Sequence, residues 1–228
     1  MKNLPLVAIA LLVACTPVSK VVEELTLLTD DGMRISYAYL EGEKKTGVIL
    51  LHMLNRERND YQTFAQELSG EGFPVISLDF RGHGKSDGNW QDFSDTDFNA
   101  MVFDVKSARE FLTTKGVEQA VVVGASIGAN VALKYAVTNE SVRGVVLLSP
   151  GLDYRGVKTA EPATKVKIPI LIMVSKEDDY SYLSSQKLES LIRSPRKLIV
   201  YEDAGHGTQM FDKAPAAEQI LVWLNSLR

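Results

Sequence analysis

One cysteine, three histidines and two tryptophans are all that the 228 residues hold of these types, and the first two scarcities each close off a chemistry. With Cys15 as the only cysteine, no intramolecular disulfide can form and no cysteine nucleophile can sit deeper in the chain. The histidines, His52, His83 and His206, lie far apart and no two share a helix face, so a metal-ligand spacing is missing. A basic excess is missing too. Lys and Arg number 25 against 29 Asp and Glu, a net charge of -4, where a nucleic-acid binder usually shows a basic face. Neither an internal repeat nor a low-complexity tract is present. What is there, at 45% hydrophobic residues, suits one globular domain with a sizeable core.

The N-terminus reads as a separate segment. Met1-Lys2-Asn3 is a short basic start to the apolar run Leu4–Ala14, which is too short to span a bilayer as a permanent helix. The run ends in Leu12-Val13-Ala14-Cys15, which resembles the bacterial lipoprotein lipobox, with small residues before a cysteine that is lipidated and becomes the first residue. The resemblance implies a signal peptide over 1–14, a tether over 15–21 and one domain over 22–228. A lipidated Cys15 would hold the protein on a membrane surface of the bacterial cell envelope, facing outside the cytoplasm, anchored rather than spanning.

Beyond the tether, Val21–Leu28 and Arg34–Leu40 alternate around an Asp-Gly turn and predict a hairpin. Apolar runs then predict strands at Gly47–Leu51, Phe73–Leu78, Val121–Val123, Val142–Leu148, Pro169–Val174 and Lys197–Tyr201. Helical spacing appears over Asn59–Gly72, Asp97–Thr114, the stretch after Gly128, Tyr182–Ile192 and Ala214–Leu227. Alternating strands and helices imply an α/β fold: a mostly parallel central sheet with helices on both faces. Ligands in such sheets bind beyond the carboxyl ends of the strands. Two glycine-rich candidates there fail on spacing. Gly84-Lys85-Ser86 has Asp79 where a phosphate-binding loop needs its first glycine. Gly82 and Gly84 have Asp87 where a dinucleotide fingerprint needs its third. No cofactor is implied.

The strand ending at Val123 runs into Gly124-Ala125-Ser126-Ile127-Gly128 and then a helix. In that setting G-x-S-x-G presents its serine on a sharp turn, with the helix N-terminus nearby to stabilise negative charge. A tight turn whose serine merely caps the helix has the same pattern, so partners decide the matter. They follow in chain order. The strand Pro169–Val174 ends in Ser175-Lys176-Glu177-Asp178-Asp179, and Lys197–Tyr201 ends in Glu202-Asp203-Ala204-Gly205-His206-Gly207. His206 can take the Ser126 proton, and Asp178, or its neighbour Asp179, can hold the imidazole in the right tautomer. Asp178 has the offset from Pro169 expected of such an acid.

With LLHMLNRERNDY at Leu50–Tyr61, LDFRGHGKSDG at Leu78–Gly88, GASIG at Gly124–Gly128, LLSPG at Leu147–Gly151, SKEDD at Ser175–Asp179 and AGHG at Ala204–Gly207, the chain resembles the α/β-hydrolases. The likeness is to small bacterial serine hydrolases of the dienelactone-hydrolase-like and lysophospholipase-like groups, and it covers nearly everything after residue 22. It implies an α/β-hydrolase fold without a large lid domain and an enzyme that cleaves carboxylic esters through Ser126, His206 and Asp178. The implied oxyanion donors are the backbone N–H groups of Ile127 and Leu54. Met53 stands where a glycine is usual, which leaves Met53 and Leu54 both open as the second donor. Dienelactone hydrolases proper carry a cysteine at the place of Ser126, and haloalkane dehalogenases an aspartate, so neither activity is implied. Leu152–Lys167 is too short for the helical lid of many lipases, which points to an open, shallow cleft and short acyl groups. A peptidase or amidase on the same triad, and a binding lipoprotein that keeps the fold without the activity, are the alternative readings.

Overall fold

The computed structural model describes residues 25–227. The segments expected to form a signal peptide and tether, with the lipidation expected at Cys15, lie outside the described residues, as does the expected start of the first strand. β1 (Leu25–Leu28) and β2 (Arg34–Leu40) form the opening hairpin, and β3 (Thr46–Leu51) is the first central strand. A 3-10 turn at Arg58–Tyr61 leads into α1 (Gln62–Gly70), followed by β4 (Val75–Leu78). Next come α2 (Asp95–Asn99), α3 (Met101–Thr114), β5 (Gln119–Ala125), α4 (Ile127–Ala136) and β6 (Val142–Leu148). A small hairpin of β7 (Asp153–Tyr154) and β8 (Val157–Lys158) precedes α5 (Ala160–Lys165), β9 (Ile170–Ser175) and α6 (Asp179–Leu191). β10 (Arg196–Tyr201), α7 (Met210–Lys213) and α8 (Ala216–Ser226) complete the order.

Eight strands make one sheet in the order β1-β2-β4-β3-β5-β6-β9-β10. The pairs β1/β2 and β2/β4 are antiparallel and every other pair is parallel. The central strands carry unbroken apolar runs, at 48–51, 121–123, 145–148 and 170–174, where both of their faces are covered. In β3, Ile49 and Leu51 join a core with α3, α4 and Leu188 of α6, while Val48 and Leu50 join a second core with Phe64 and Leu68 of α1 and Ile220 of α8. Among the described residues no helix is long and apolar enough to cross a membrane.

One predicted helix is broken in two. Asp97–Thr114 reads as continuous, yet α2 ends at Asn99 and α3 starts at Met101. Ser94 and Asp97 close a capping box around the start of α2. At its end the Asn99 amide donates to Asp95 O at 2.7 Å and to Gly156 O at 3.1 Å, tying the break to the β7–β8 hairpin.

Candidate active site

Ser126 lies between β5 and α4 with φ 53° and ψ -120°, a conformation that costs a non-glycine residue about 1–3 kcal/mol. Its N–H donates to Leu148 O at 2.8 Å, and its carbonyl accepts from Ala129 N at 2.9 Å and Asn130 N at 3.2 Å. The flanking glycines permit the turn. A Cβ on Gly124 would stand 2.2 Å from Gly128 O, and one on Gly128 would stand 2.5 Å from Leu51 O and 2.7 Å from His52 O. The strain is held by α4, whose residues Ile127–Leu133 are all buried.

The imidazole of His206 meets Asp178, with Nδ1 2.6 Å from Asp178 Oδ2. Burial alone would raise the Asp178 pKa, but hydrogen bonds from His206 and Ser181 outweigh it and hold the carboxyl below its usual range. An ionised Asp178 accepts, so the Nδ1 proton is the one donated and Nε2 is left free for a nucleophile. Asp179 is the first residue of α6 and does not reach the ring. Four consecutive N–H groups of the histidine loop are gripped by side chains. Ala204 N donates to Ser175 Oγ at 2.9 Å, Gly205 N to Glu177 Oε1 at 2.6 Å, His206 N to Gln209 Oε1 at 2.8 Å, and Gly207 N to Ser149 Oγ at 3.0 Å. A Cβ on Gly207 would stand 3.2 Å from the Ala125 Cβ, so the loop is seated directly against the serine turn. His206 and Asp178 are thus in contact, and Ser126 is their neighbour without a direct hydrogen bond to the ring.

Ile127 opens α4, where the first N–H groups have no partner inside the helix. Across from it run His52-Met53-Leu54-Asn55, with Asn55 at φ 57°. The Met53 side chain takes up the space beside the histidine loop: a Cβ on Gly207 would stand 2.3 Å from its Sδ. His52 is fully buried, shares a hydrogen bond of 2.6 Å with Met53 O through Nδ1, and accepts the Phe80 N–H at 2.9 Å through Nε2. His83 is buried against Trp90 and His52, with Nδ1 3.0 Å from Arg81 O. Asp79 ties this region to the next loop, pairing with the Arg58 guanidinium and accepting the Arg58 N–H at 2.8 Å. Among the described residues no group of three His, Cys, Asp or Glu side chains is arranged to hold a metal ion.

The family model Hydrolase_4, described as serine aminopeptidase, S33, matches residues 42–162, just over half of the chain. The chain belongs to this hydrolase family. Over 106 residues it is 35% identical to the AB hydrolase superfamily protein YisY of Bacillus subtilis (strain 168), which covers 45% of this chain and 37% of that protein. Over 87 residues it is 33% identical to a probable alcohol acetyltransferase of Cyberlindnera fabianii, covering 38% and 22%. The chain therefore matches well under half the length of these curated relatives. Among solved structures, the Pyrococcus furiosus esterase Pf2001 superposes with TM-score 0.75 at 18% identity, over 90% of both chains. The esterase EaEST from Exiguobacterium antarcticum gives 0.74 at 18%, covering 89% of this chain and all of that one. A monoacylglycerol lipase of Paleococcus ferrophilus gives 0.73 at 19%, covering 85% and 99%. These likenesses establish the α/β-hydrolase fold.

Several residues around the site are given no role by the sequence, even where they fall within the motifs quoted above. Ser149, Ser175, Glu177 and Gln209 act on the histidine loop through its backbone, a role that leaves no pattern of residue types. Tyr154 comes from the short segment read as too small for a lid. Its hydroxyl is 2.8 Å from Ser181 Oγ, and its ring stands edge-on to His206 with centroids 6.4 Å apart. Burial pushes its pKa up to about 12, with hydrogen bonds to Ser181 and Ser126 pulling the other way, so the phenol stays protonated at working pH. Ser126 itself is buried, 7% exposed. An Arg155-Gly156 turn was the available signal for the hairpin; where its tyrosine would land was not.

Proposed function

We propose that this hydrolase is a carboxylesterase that takes esters with short acyl groups and works through an acyl-enzyme. The observation that carries the reading is the strained Ser126 elbow seated beside a His206 whose Nδ1 is engaged by Asp178. Ser126 Oγ attacks the acyl carbonyl while His206 Nε2 takes its proton. The imidazolium so formed is stabilised by the Asp178 carboxylate. The oxyanion is held by the N–H of Ile127 and that of Leu54, or of Met53 if the loop presents that group instead. His206 then returns the proton to the leaving alcohol, and water resolves the acyl-enzyme by the same route in reverse roles.

The preference for short acyl groups is supported by the low exposure of Ser126 and by the hairpin and the six-residue α5 that are all that stand between β6 and β9. Turnover of p-nitrophenyl esters from acetate to palmitate tests it, with Ser126→Ala as the blank. The reading expects acetate and butyrate to be cleaved fastest and Ser126→Ala to be inert. A maximum at palmitate would overturn the chain-length claim, and equal turnover by Ser126→Ala would overturn the mechanism. The description of the family as a serine aminopeptidase supports a second reading, amide cleavage on the same residues. Aminoacyl p-nitroanilides hydrolysed as fast as the esters would favour it.

A further inference from the structure

In the loop after β3, Met53 and Leu54 each offer an N–H as the second oxyanion donor, and the hydrogen bonds of His52 decide between them. This ring is fully buried, and each of its nitrogens has a main-chain partner of fixed character. At Nε2 the partner is the Phe80 N–H, 2.9 Å away, which can only donate. Nε2 therefore accepts, and burial keeps the ring neutral, so its one proton is on Nδ1. At Nδ1 the partner is the Met53 carbonyl oxygen, 2.6 Å away, which can only accept. The direction of the bond from His52 Nδ1 to Met53 O is thus set at both ends of the ring.

A carbonyl fixed in this way fixes the N–H that follows it. In a trans peptide the C=O and N–H groups point in opposite directions, and none of the described peptide bonds is cis. With Met53 O turned onto the buried ring, Leu54 N–H points the other way, out of the core. The preceding peptide faces differently. His52 O lies against the start of α4, where a Cβ on Gly128 would stand 2.7 Å from it. Met53 N–H, opposite to that oxygen, is turned away from α4 and so from Ile127 N–H. Of the two candidates, Leu54 N–H is the one left to share an oxyanion with Ile127. The far end of the loop is held from the same place. Arg58 N donates to Asp79 at 2.8 Å, so Asp79 and Phe80, consecutive residues after β4, grip both ends of the stretch from His52 to Arg58.

We propose that His52 is a positioning residue of this site: by holding Met53 O it aims Leu54 N–H at the oxyanion and makes Leu54, not Met53, the second donor. It rests on the reading of Ser126 as the nucleophile. When Ser126 Oγ bonds to the acyl carbon, its proton goes to His206 Nε2 and the carbonyl π pair moves onto oxygen. Ile127 N–H and Leu54 N–H meet the charge that develops there. A peptide already held from behind needs no reorientation at that moment. The benefit therefore falls on the transition state more than on ground-state binding. A ring that only filled the core would have no such effect on rate.

Two variants separate the two bonds of the ring. In His52→Asn the amide nitrogen stands where Nδ1 stood and keeps the donor to Met53 O. In His52→Gln the amide oxygen reaches the place of Nε2, which keeps the acceptor for Phe80 N–H and gives up the donor to Met53 O. Both are assayed with p-nitrophenyl acetate once circular dichroism shows them folded. His52→Gln is expected to lose about tenfold or more in kcat with KM within about threefold, and His52→Asn to stay within about threefold of the parent kcat. Equal losses, or a greater loss in His52→Asn, would leave the ring a packing role only and overturn the proposal. The parent protein supplies a second test, which decides alone should a variant not fold. Proton–nitrogen NMR spectra of its amides are compared before and after reaction with diisopropyl fluorophosphate, whose phosphoryl oxygen takes the oxyanion position on Ser126. Downfield shifts are expected at Ile127 and Leu54. No shift at Leu54, or one at Met53 in its place, overturns the proposal while ester turnover by the parent stands. A parent that takes up no phosphoryl group and cleaves no ester overturns the reading of Ser126 and the proposal with it.

Discussion

His52 stays neutral at ordinary pH because a charge at its position would have nowhere to go. The ring is fully buried, with one nitrogen on Met53 O and the other accepting from Phe80 N, and burial lowers its pKa to about 3. In the unfolded chain the same group titrates near 6.5. Between these values the unfolded state binds a proton that the folded state refuses. Its contribution is therefore complete above pH 6.5, falls as pH drops from there toward 3, and changes no further below that. At pH 5 the loss from this one residue is about 2 kcal/mol. Urea unfolding at pH 7.5 and pH 5.0 is expected to show a smaller drop in His52→Gln than in the parent, although the variant is less stable overall. Equal drops would mean that His52 is charged in the folded protein. Burial also lowers the pKa of His83, which steepens both curves alike and leaves the difference to His52.

At the scale of elements, the packing of α4 against β3 turns on a single missing methyl group. In a helix, Gly to Ala is ordinarily a gain of up to about 1 kcal/mol. At Gly128 the added Cβ would meet backbone, 2.5 Å from Leu51 O, so α4 would have to lift off the sheet. Overpacking of this kind costs about 1–3 kcal/mol or more, so Gly128→Ala is expected to lose stability despite its better propensity. Gly70 at the end of α1 is the control: a Cβ there meets nothing within 4 Å, and Gly70→Ala is expected to be neutral or mildly stabilising. Thermal melts of the pair measure both terms, and a Gly128→Ala melting as high as Gly70→Ala would refute the packing argument. The β-branched runs of β5 and β6 and the spacing of α6 and α8 are local signals, and these elements are legible from sequence. The break between α2 and α3 is not, because it depends on Asn99 reaching Gly156, 57 residues further on. The β7–β8 hairpin has a local turn signal in Arg155-Gly156, but where it is seated depends on Tyr180 and Asn130 from other elements.

Across the whole molecule, the parallel sheet turns chain order into proximity. β5, β6, β9 and β10 are successive neighbours, and the loops at their carboxyl ends carry Ser126, Ser149, Asp178 and His206. That is why a serine, an acid and a histidine 52 and 28 residues apart could be read as one constellation. The choice between Asp178 and Asp179 lies in where α6 begins, and the role of Glu177 in a backbone contact; neither is written in residue type. Tyr154 lies further along the connection that leaves β6, in a hairpin whose seat pattern alone could not place. The central claim is that this arrangement activates Ser126. Treating the purified protein with a fluorophosphonate and mapping the label by peptide mass spectrometry tests it most directly. The account predicts labelling confined to Ser126, lost in Ser126→Ala and strongly slowed in His206→Ala. A folded protein that takes up no label, or one labelled equally well without His206, would contradict it.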